Sequence, residues 1–458
     1  MQRPHRGFIL PLLVILLAVT AVAIFATLLQ SEPTQTRRER ITTTALAQAK
    51  AALLAYAAAK PLTDISPTLV ANDYLPWALP CPDLGTSLAG EGYAAGVCGS
   101  ANVASLGRLP WRSLRTDVLR DGDNECLWYA VSGTHKSAPF SSLTMINEDT
   151  PALLQMVDAQ GNVAGAAGTD VIAVVFAPGA VLPSQSQTID PTKNTGICGG
   201  NLTAANYLDS FASATGMVNN ASLSGSAFNV STLIQAAAAG QFDDHLITIT
   251  RNEIQAAVSR RADFVEQPAQ PAGVKPRMQE VAETLAQCLV ANAATGFPRA
   301  ADLGSGSRWQ DFSGLGYPPA SGFSGRFPAS WANGNCPTLT GSVSMNALYN
   351  HWKDHFFYAL SGGFASAPGG CSGGNCVTVN GGATQYAAIV IFSGVRLSTQ
   401  TRADATLGDV RQYLEGRNAS NYPDLAGNGN YQSATAVSSG FNDVLICIPA
   451  NLSAPFKC

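Results

Sequence analysis

The feature that most constrains this 458-residue chain is that it repeats itself. GRLPW at Gly107–Trp111 returns as GRFPASW at Gly325–Trp331, and CLWYAVSG at Cys126–Gly133 returns as HFFYALSG at His355–Gly362. VIAVVFAPGAVLPSQSQ (Val171–Gln187) is answered by AAIVIFSGVRLSTQTR (Ala387–Arg402), NYLDS (Asn206–Ser210) by QYLEG (Gln412–Gly416), and FDDHLITIT (Phe242–Thr250) by FNDVLICIP (Phe441–Pro449). Five matches in one order, offset by roughly 200 to 230 residues, mean one structural unit used twice with loops of different length. A helix-forming prelude stands before each copy: ALAQAKAALLAYAA, and then VAETLAQCLVANAA at Val281–Ala294. In the first, Leu46, Ala49, Leu53 and Ala57 recur at helical spacing. Within the copies, Trp128–Val131, Val171–Phe176 and Leu246–Thr250 read as strands from their aromatic and β-branched content, as do Phe356–Leu360, Ala388–Phe392 and Val444–Ile448. The expected fold class is α+β: two related heads, each a helix packed on a small antiparallel sheet. Three prolines in QPAQPAGVKP (Gln267–Pro276) predict an extended spacer between them. The boundaries drawn are a first head over 31–265, a Pro-rich linker over 266–278 and a second head over 279–458.

Ahead of the first head, Phe8 to Leu29 runs without a charge, after Arg3, His5, Arg6 and Gly7. Roughly 22 helical residues reach about 33 Å, enough for a bilayer core, so residues 8–30 are expected to form a transmembrane helix. The run is longer than a signal-peptide core and offers no convincing small-x-small cleavage site. A plain N-terminal anchor is the competing reading. A short basic leader ending in Gly, then Phe and an apolar helix, resembles the processing site of type IV prepilins and type II secretion pseudopilins. The resemblance is specific over about the first 60 residues and implies that residues 1–7 are a leader. Cleavage between Gly7 and Phe8 by a prepilin peptidase, methylation of the new N-terminus, and a long helical stem running into a pilin-like head are also implied.

Most pilins carry Glu as the fifth mature residue, whereas here that place holds Leu12, and no Asp or Glu occurs from Phe8 to Leu29. In the family, that carboxylate meets the free amine of a neighbouring subunit. Its absence, like the two-headed size, fits a minor subunit at the tip of a fibre, where no such neighbour exists. Pro11 sits in the first helical turn, where it removes no needed donor, and does not discriminate.

Only 13% of residues are charged and the net charge is −4, without a basic stripe, so no nucleic-acid partner is expected. The ten cysteines are even in number and match an oxidising compartment. Their connectivity is not readable from spacing, apart from Cys371 and Cys376. Those two flank the turn-forming Ser-Gly-Gly-Asn and are the candidate local disulfide. His351 and His355 stand at i and i+4, a zinc-binding spacing, but Trp352 occupies the place of the metalloprotease Glu. Asp121, Asp123 and Glu125 alternate like calcium ligands, with the later ligand positions missing. Glu253, Arg260, Arg261 and Glu266 read as a solvated helix face. Gly304–Ser307 and Ser224–Ser226 do not complete a nucleophile elbow. Tyr129 and Tyr358 read as core aromatics that recur with the fold, without a cluster of ionisable residues repeating around them.

The expectation is therefore a non-enzymatic minor pilin or pseudopilin without cofactor or metal. It would be inserted single-pass in a bacterial inner membrane, with heads in the periplasm or on an extracellular fibre. Its expected partners are the prepilin peptidase, the inner membrane and other pilin-like subunits, met through the N-terminal helix. The alternative is a membrane-anchored periplasmic binding protein outside any fibre.

Overall fold

The computed structural model describes residues 34–458, apart from 67, 140–144, 159, 164–169, 194, 214–215, 224–230, 235–241, 305–307, 309, 314–321 and 368. Helix α1 (Thr34–Ala58) opens the described chain. It is rich in Ala, Leu and Gln, all strong helix formers. Thr42, Ala45, Leu46, Ala49, Leu53 and Ala57 make its buried stripe. Pro61 cannot continue the helix. The orphan carbonyls at its end are met by Arg261, whose Nη1 donates to Ala58 O (2.6 Å) and Lys60 O (2.7 Å).

The first sheet contains β1 (Ser105–Arg108), β2 (Trp128–Val131), β4 (Val171–Ala177) and β8 (His245–Thr250), all antiparallel to their neighbours. β3 (Leu154–Val157) continues past the end of β2 on the same side of β4 and pairs in parallel with β7 (Ser231–Ile234). β5 (Ser210–Ser213) and β6 (Gly216–Asn219) form a separate hairpin. Helix α2 (Arg251–Ser259) follows β8 and packs beside α1. The second half starts with α3 (Arg277–Ala291) and repeats the plan. β9 (Ser324–Arg326), β10 (Phe356–Leu360), β12 (Gln385–Phe392) and β14 (Val444–Pro449) stand in for β1, β2, β4 and β8. β11 (Val377–Val379) and β13 (Asn430–Tyr431) stand in for β3 and β7, again as a parallel pair. α4 (Ala329–Asn335), α5 (Pro337–Thr340), α6 (Val343–Trp352), α7 (Gly416–Ser420) and β15 (Phe456–Lys457) are the second half's further elements.

The correspondence holds at the level of single residues. Gly107, Tyr129, Val175 and Ile247 lie side by side across the first sheet, and Gly325, Tyr358, Val390 and Ile446 across the second. Each sheet also slips register at one place, just before Ala173 and just before Ala388. Both helical preludes lie on the same strand pair of their own half: α1 on β4 and β8, α3 on β12 and β14. The inner faces of both halves merge into one apolar core, which runs from Leu46 and Leu53 to Leu285 and Leu289. At its centre Trp77, Phe264 and Trp352 meet with ring centroids 5.2–5.3 Å apart, joining the halves. The segment Gln267–Pro276 is folded back rather than extended. Gln267 and Gln270 donate to Ser259 O and Ala262 O, and Met278 N donates to Phe264 O.

All ten cysteines are paired: Cys81–Cys98, Cys126–Cys198, Cys288–Cys336, Cys371–Cys376 and Cys447–Cys458. Each bond lies within one half.

Two expectations are corrected. The α+β part of the fold class agrees with the structure, but the transmembrane pilin-like helix does not. Among the described residues, no helix is long and apolar enough to cross a membrane. The longest, α1, carries Arg37, Arg38, Glu39, Arg40 and Lys50 and spends its apolar stripe on its own sheet. The single-pass inner-membrane localisation falls with it. Residues 8–30, on which the span was placed, lie outside the described residues.

Candidate functional site

Each half contains the same buried polar assembly. In the first, Asp244 Oδ2 accepts from Asp209 N and from Asn220 Nδ2, both at 2.9 Å. Asp209 in turn accepts from Asp243 N (2.8 Å) and Gln185 Nε2 (2.9 Å). In the second, Asp443 Oδ2 accepts from Glu415 N (3.0 Å) and Asn418 Nδ2 (2.8 Å). Glu415 accepts from Asn442 N (3.1 Å) and Gln400 Nε2 (2.8 Å). Gly179 and Gly394, both at positive φ, close the two assemblies. A Cβ on either would run into Asp243 or Asn442, respectively. A buried arginine accompanies each pair. Arg108 Nη2 donates to Tyr207 Oη (3.1 Å), and the Arg326 guanidinium lies 4.0 Å over the Tyr413 ring. Burial raises the pKa of Asp209 and Glu415, and it raises Asp244 and Asp443 well above the carboxylate range, helped by the neighbouring acid. Backbone amides occupy these carboxyls, so the assemblies tie the loop after β4 or β12 to the start of β8 or β14. A repeated cluster of ionisable groups therefore exists, which the reading around Tyr129 and Tyr358 missed. Its letters stand at equal places in the matched segments, but 35 and 28 residues apart in the chain.

A second cluster has no copy among the described residues and lies between the halves. Glu148 and Asp149 come from the first, and Arg308, Asp354, His355 and Arg402 from the second. All six are 0–1% exposed. His355 Nδ1 is 2.8 Å from Asp354 Oδ1, and Nε2 is 3.0 Å from Asp149 Oδ2 and 3.6 Å from Glu148 Oε1. Arg402 Nη1 donates to Glu148 Oε1 (2.9 Å). Its other donors meet Gln412 O, Gly394 O and Gln400 Oε1. Arg308 Nη1 stands 3.6 Å from Asp354 Oδ2, while its Nε meets Asp404 Oδ1 at 2.6 Å. Gln255 Nε2 and Arg396 N donate to Glu148, and Asn147 Nδ2 donates to Asp354. Burial alone would neutralise His355, but Asp354, Asp149 and Glu148 outweigh it and push its pKa up to about 10. Burial likewise opposes charge on Asp354 and Asp149. His355 and the arginines prevail and hold both below the usual carboxylate range. The result is three cations against three anions.

Glu148, Asp149 and His355 each offer a metal-ligand atom within 4.8 Å of the others. Arg402 already stands where a cation would, and a protonated His355 has no lone pair to give. Closed to solvent, this cluster offers no approach to a substrate; what it can do is hold the two halves in one relation.

The residues singled out from sequence fall elsewhere or change meaning. Asp121 accepts from Asp123 N, Glu125 N and Gly179 N, and Asp123 pairs with Arg38 (2.7 Å), so this segment is a tied turn. His351 and His355 part company because α6 ends at Trp352 and a 3₁₀ turn follows. His351 Nδ1 accepts from Ile146 N, and burial lowers its pKa to about 4. Of the expected solvated face, Arg260 is exposed. Glu253 pairs with Lys50 (2.5 Å), Arg261 caps α1, and Glu266 pairs with Lys457 (2.6 Å). Cys371 and Cys376 are bonded to each other. Gly7 and Phe8 lie outside the described residues. No protein-family model, curated protein or solved structure matches the chain.

Proposed function

We propose that this chain is a non-catalytic assembly subunit, a minor pilin or pseudopilin. It is cut by a prepilin peptidase between Gly7 and Phe8 and serves at the initiation or tip of a type IV pilus or type II secretion fibre. Neither a membrane span nor an inner-membrane residence is part of this reading. The observation that carries it is the way α1 leaves the body. Thr34 to Ile41 are exposed, touching the body through Arg38 on Gly122 and Asp123, while the following turns sink into the core. A helix that projects in this way, preceded in sequence by the Gly7–Phe8 junction, supports a stem offered to other subunits. The five disulfides agree with work in an oxidising compartment. The absent acid at Leu12 and the double body favour a terminal position over one repeated along a fibre.

The test is mass spectrometry of the mature N-terminus in cells with and without the prepilin peptidase. A methylated Phe8 that depends on the peptidase is expected. An intact Met1 in both strains overturns the reading in favour of a binding protein outside any fibre.

A further inference from the structure

The halves of this protein share no disulfide, so everything that fixes their relation is non-covalent apart from the peptide link between α2 and α3. Apolar contact around Trp77, Phe264 and Trp352 supplies adhesion. Such contact is tolerant of small shifts and rotations. The charged cluster is not, because any displacement leaves an unpaired ion in a closed interior. We propose that Glu148, Asp149, Asp354, His355, Arg308 and Arg402 form a proton-operated interlock, in which the half-to-half contact stays closed only while His355 carries its second ring proton. The idea does not depend on the assembly reading above.

The argument is one of charge count and geometry. With His355 cationic, its Nδ1 meets Asp354, and its Nε2 lies 3.0 Å from Asp149 Oδ2 and 3.6 Å from Glu148 Oε1, so carboxylates stand on both sides of the ring. Remove that proton and two buried cations face three buried anions. Two further charges reach the cluster, Arg326 toward Asp354 and Asp404 on Arg308; they are opposite in sign and leave the imbalance of one in place. The groups turned toward His355 from the packed elements are Glu148 and Asp149 before β3, Asp354 on its own turn, Arg308 and Arg402 from two loops, and the Tyr413 ring at 5.7 Å. Arg326 adds its charge toward Asp354. Burial, foremost, and the nearby acids push the Tyr413 phenol up to about 12, so it stays neutral through the relevant range. Arg402 also holds a left-handed backbone, φ 45°, kept there by five hydrogen-bonded groups around its guanidinium.

The sign of the effect follows. His355 has a raised pKa in the closed state, so its contribution is complete below its free value of 6.5 and fades as pH rises towards about 10. Asp149 and Asp354 are held low, so their contribution fades only on acidification, from about pH 4 downward. The contact is tightest between these limits.

Hydrogen exchange followed by mass spectrometry on the disulfide-intact full chain, from pH 6 to 10 and corrected for intrinsic exchange, reads the opening. The segments that report it are 145–151 and 351–356, with 389–392 inside the second sheet as the internal standard. The opening equilibrium of the reporters should rise towards tenfold per pH unit above about pH 7 while the standard stays flat. His355→Gln should be open already at pH 6 and lose the pH dependence. Glu148→Gln added to it restores the charge balance and should close the contact again. A flat profile in the native protein overturns the proposal, as does a double variant more open than His355→Gln alone. One equivalent of a transition metal bound to the native protein overturns it too, since His355 would then be a ligand and not a cation. Should His355→Gln fail to fold, the native pH profile decides.

Discussion

Asp443→Asn should leave the protein as stable as the parent at acid pH and more stable at neutral pH, against the usual effect of changing a buried, hydrogen-bonded side chain. Asp443 Oδ2 accepts from Glu415 N and Asn418 Nδ2, and an amide oxygen can accept both bonds equally well. Burial is the main reason the Asp443 carboxyl titrates well above the carboxylate range, and the Glu415 carboxyl beside it adds to the effect. The native state therefore keeps a proton that the unfolded chain has lost above about pH 4. With more protons bound in the native state, stability falls as pH rises, by about 1.4 kcal/mol per pH unit for one such site. Asparagine carries no such penalty. The variant's advantage should therefore grow between pH 4 and 6, with a limiting slope of about 1.4 kcal/mol per pH unit. Urea unfolding of the disulfide-intact proteins at pH 4, 5 and 6, compared as differences, measures it. Asp244→Asn, the equivalent change in the first half, should show the same trend. A variant that is less stable than the parent at pH 6, or a difference that does not change with pH, would show that Asp443 works as an ionised acceptor and refute the reasoning.

Three further outcomes are expected. Removing the Cys126–Cys198 bond by paired serine substitution should lower stability by about 4 kcal/mol, from the chain-entropy term for a loop of 72 residues, read as a fall in melting temperature. Asp64→Ala should cost about 1 kcal/mol in thermal unfolding, because Asp64 from the first half accepts from Ser342 Oγ (2.6 Å) and Ser344 N (2.8 Å) at the start of α6. Trp352→Ala should cost about 4 kcal/mol, since the ring is 1% exposed at the junction of both halves, and should broaden the tryptophan-monitored transition as the halves lose their common core.

The repeated sheets were legible because their strands are short runs of Val, Ile and aromatic residues, which match between the copies and keep register across each sheet. The buried stripe of α1 was legible from the spacing of Leu46, Ala49, Leu53 and Ala57. Pairwise geometry between distant segments was not legible. Asp209 and Asp244 sit in matched segments, yet nothing in the chain announces that one carboxyl accepts from the other's backbone. The inter-half cluster was further out of reach. Glu148 and Asp149 lie in a stretch with no counterpart in the repeat, and Asn147 meets Asp354 across 207 residues. The i, i+4 spacing of His351 and His355 did not tell where each ring would go, because it puts two rings on one face only while the helix continues. Here the helix stops between them.

Comparing the copies explains why the one cluster without a twin sits where it does. The register that sets Tyr129 against Tyr358 also sets Cys126 against His355, each three residues before that tyrosine. Both positions lie just ahead of the strand that carries the tyrosine, β2 in one half and β10 in the other. In the first half the hold is covalent, through Cys126 to Cys198 within the same half. In the second it is ionic, and His355 reaches Glu148 and Asp149 of the other half. One position in a duplicated unit thus serves the stability of its own sheet in one copy and the joining of two sheets in the other. A disulfide there in both copies would leave the joining of the halves to their shared apolar core and to contacts such as Asp64 with Ser342. With a charged ring in place of the second cysteine, the second half's anchor point reaches the first half, adding an ionic tie to the common core.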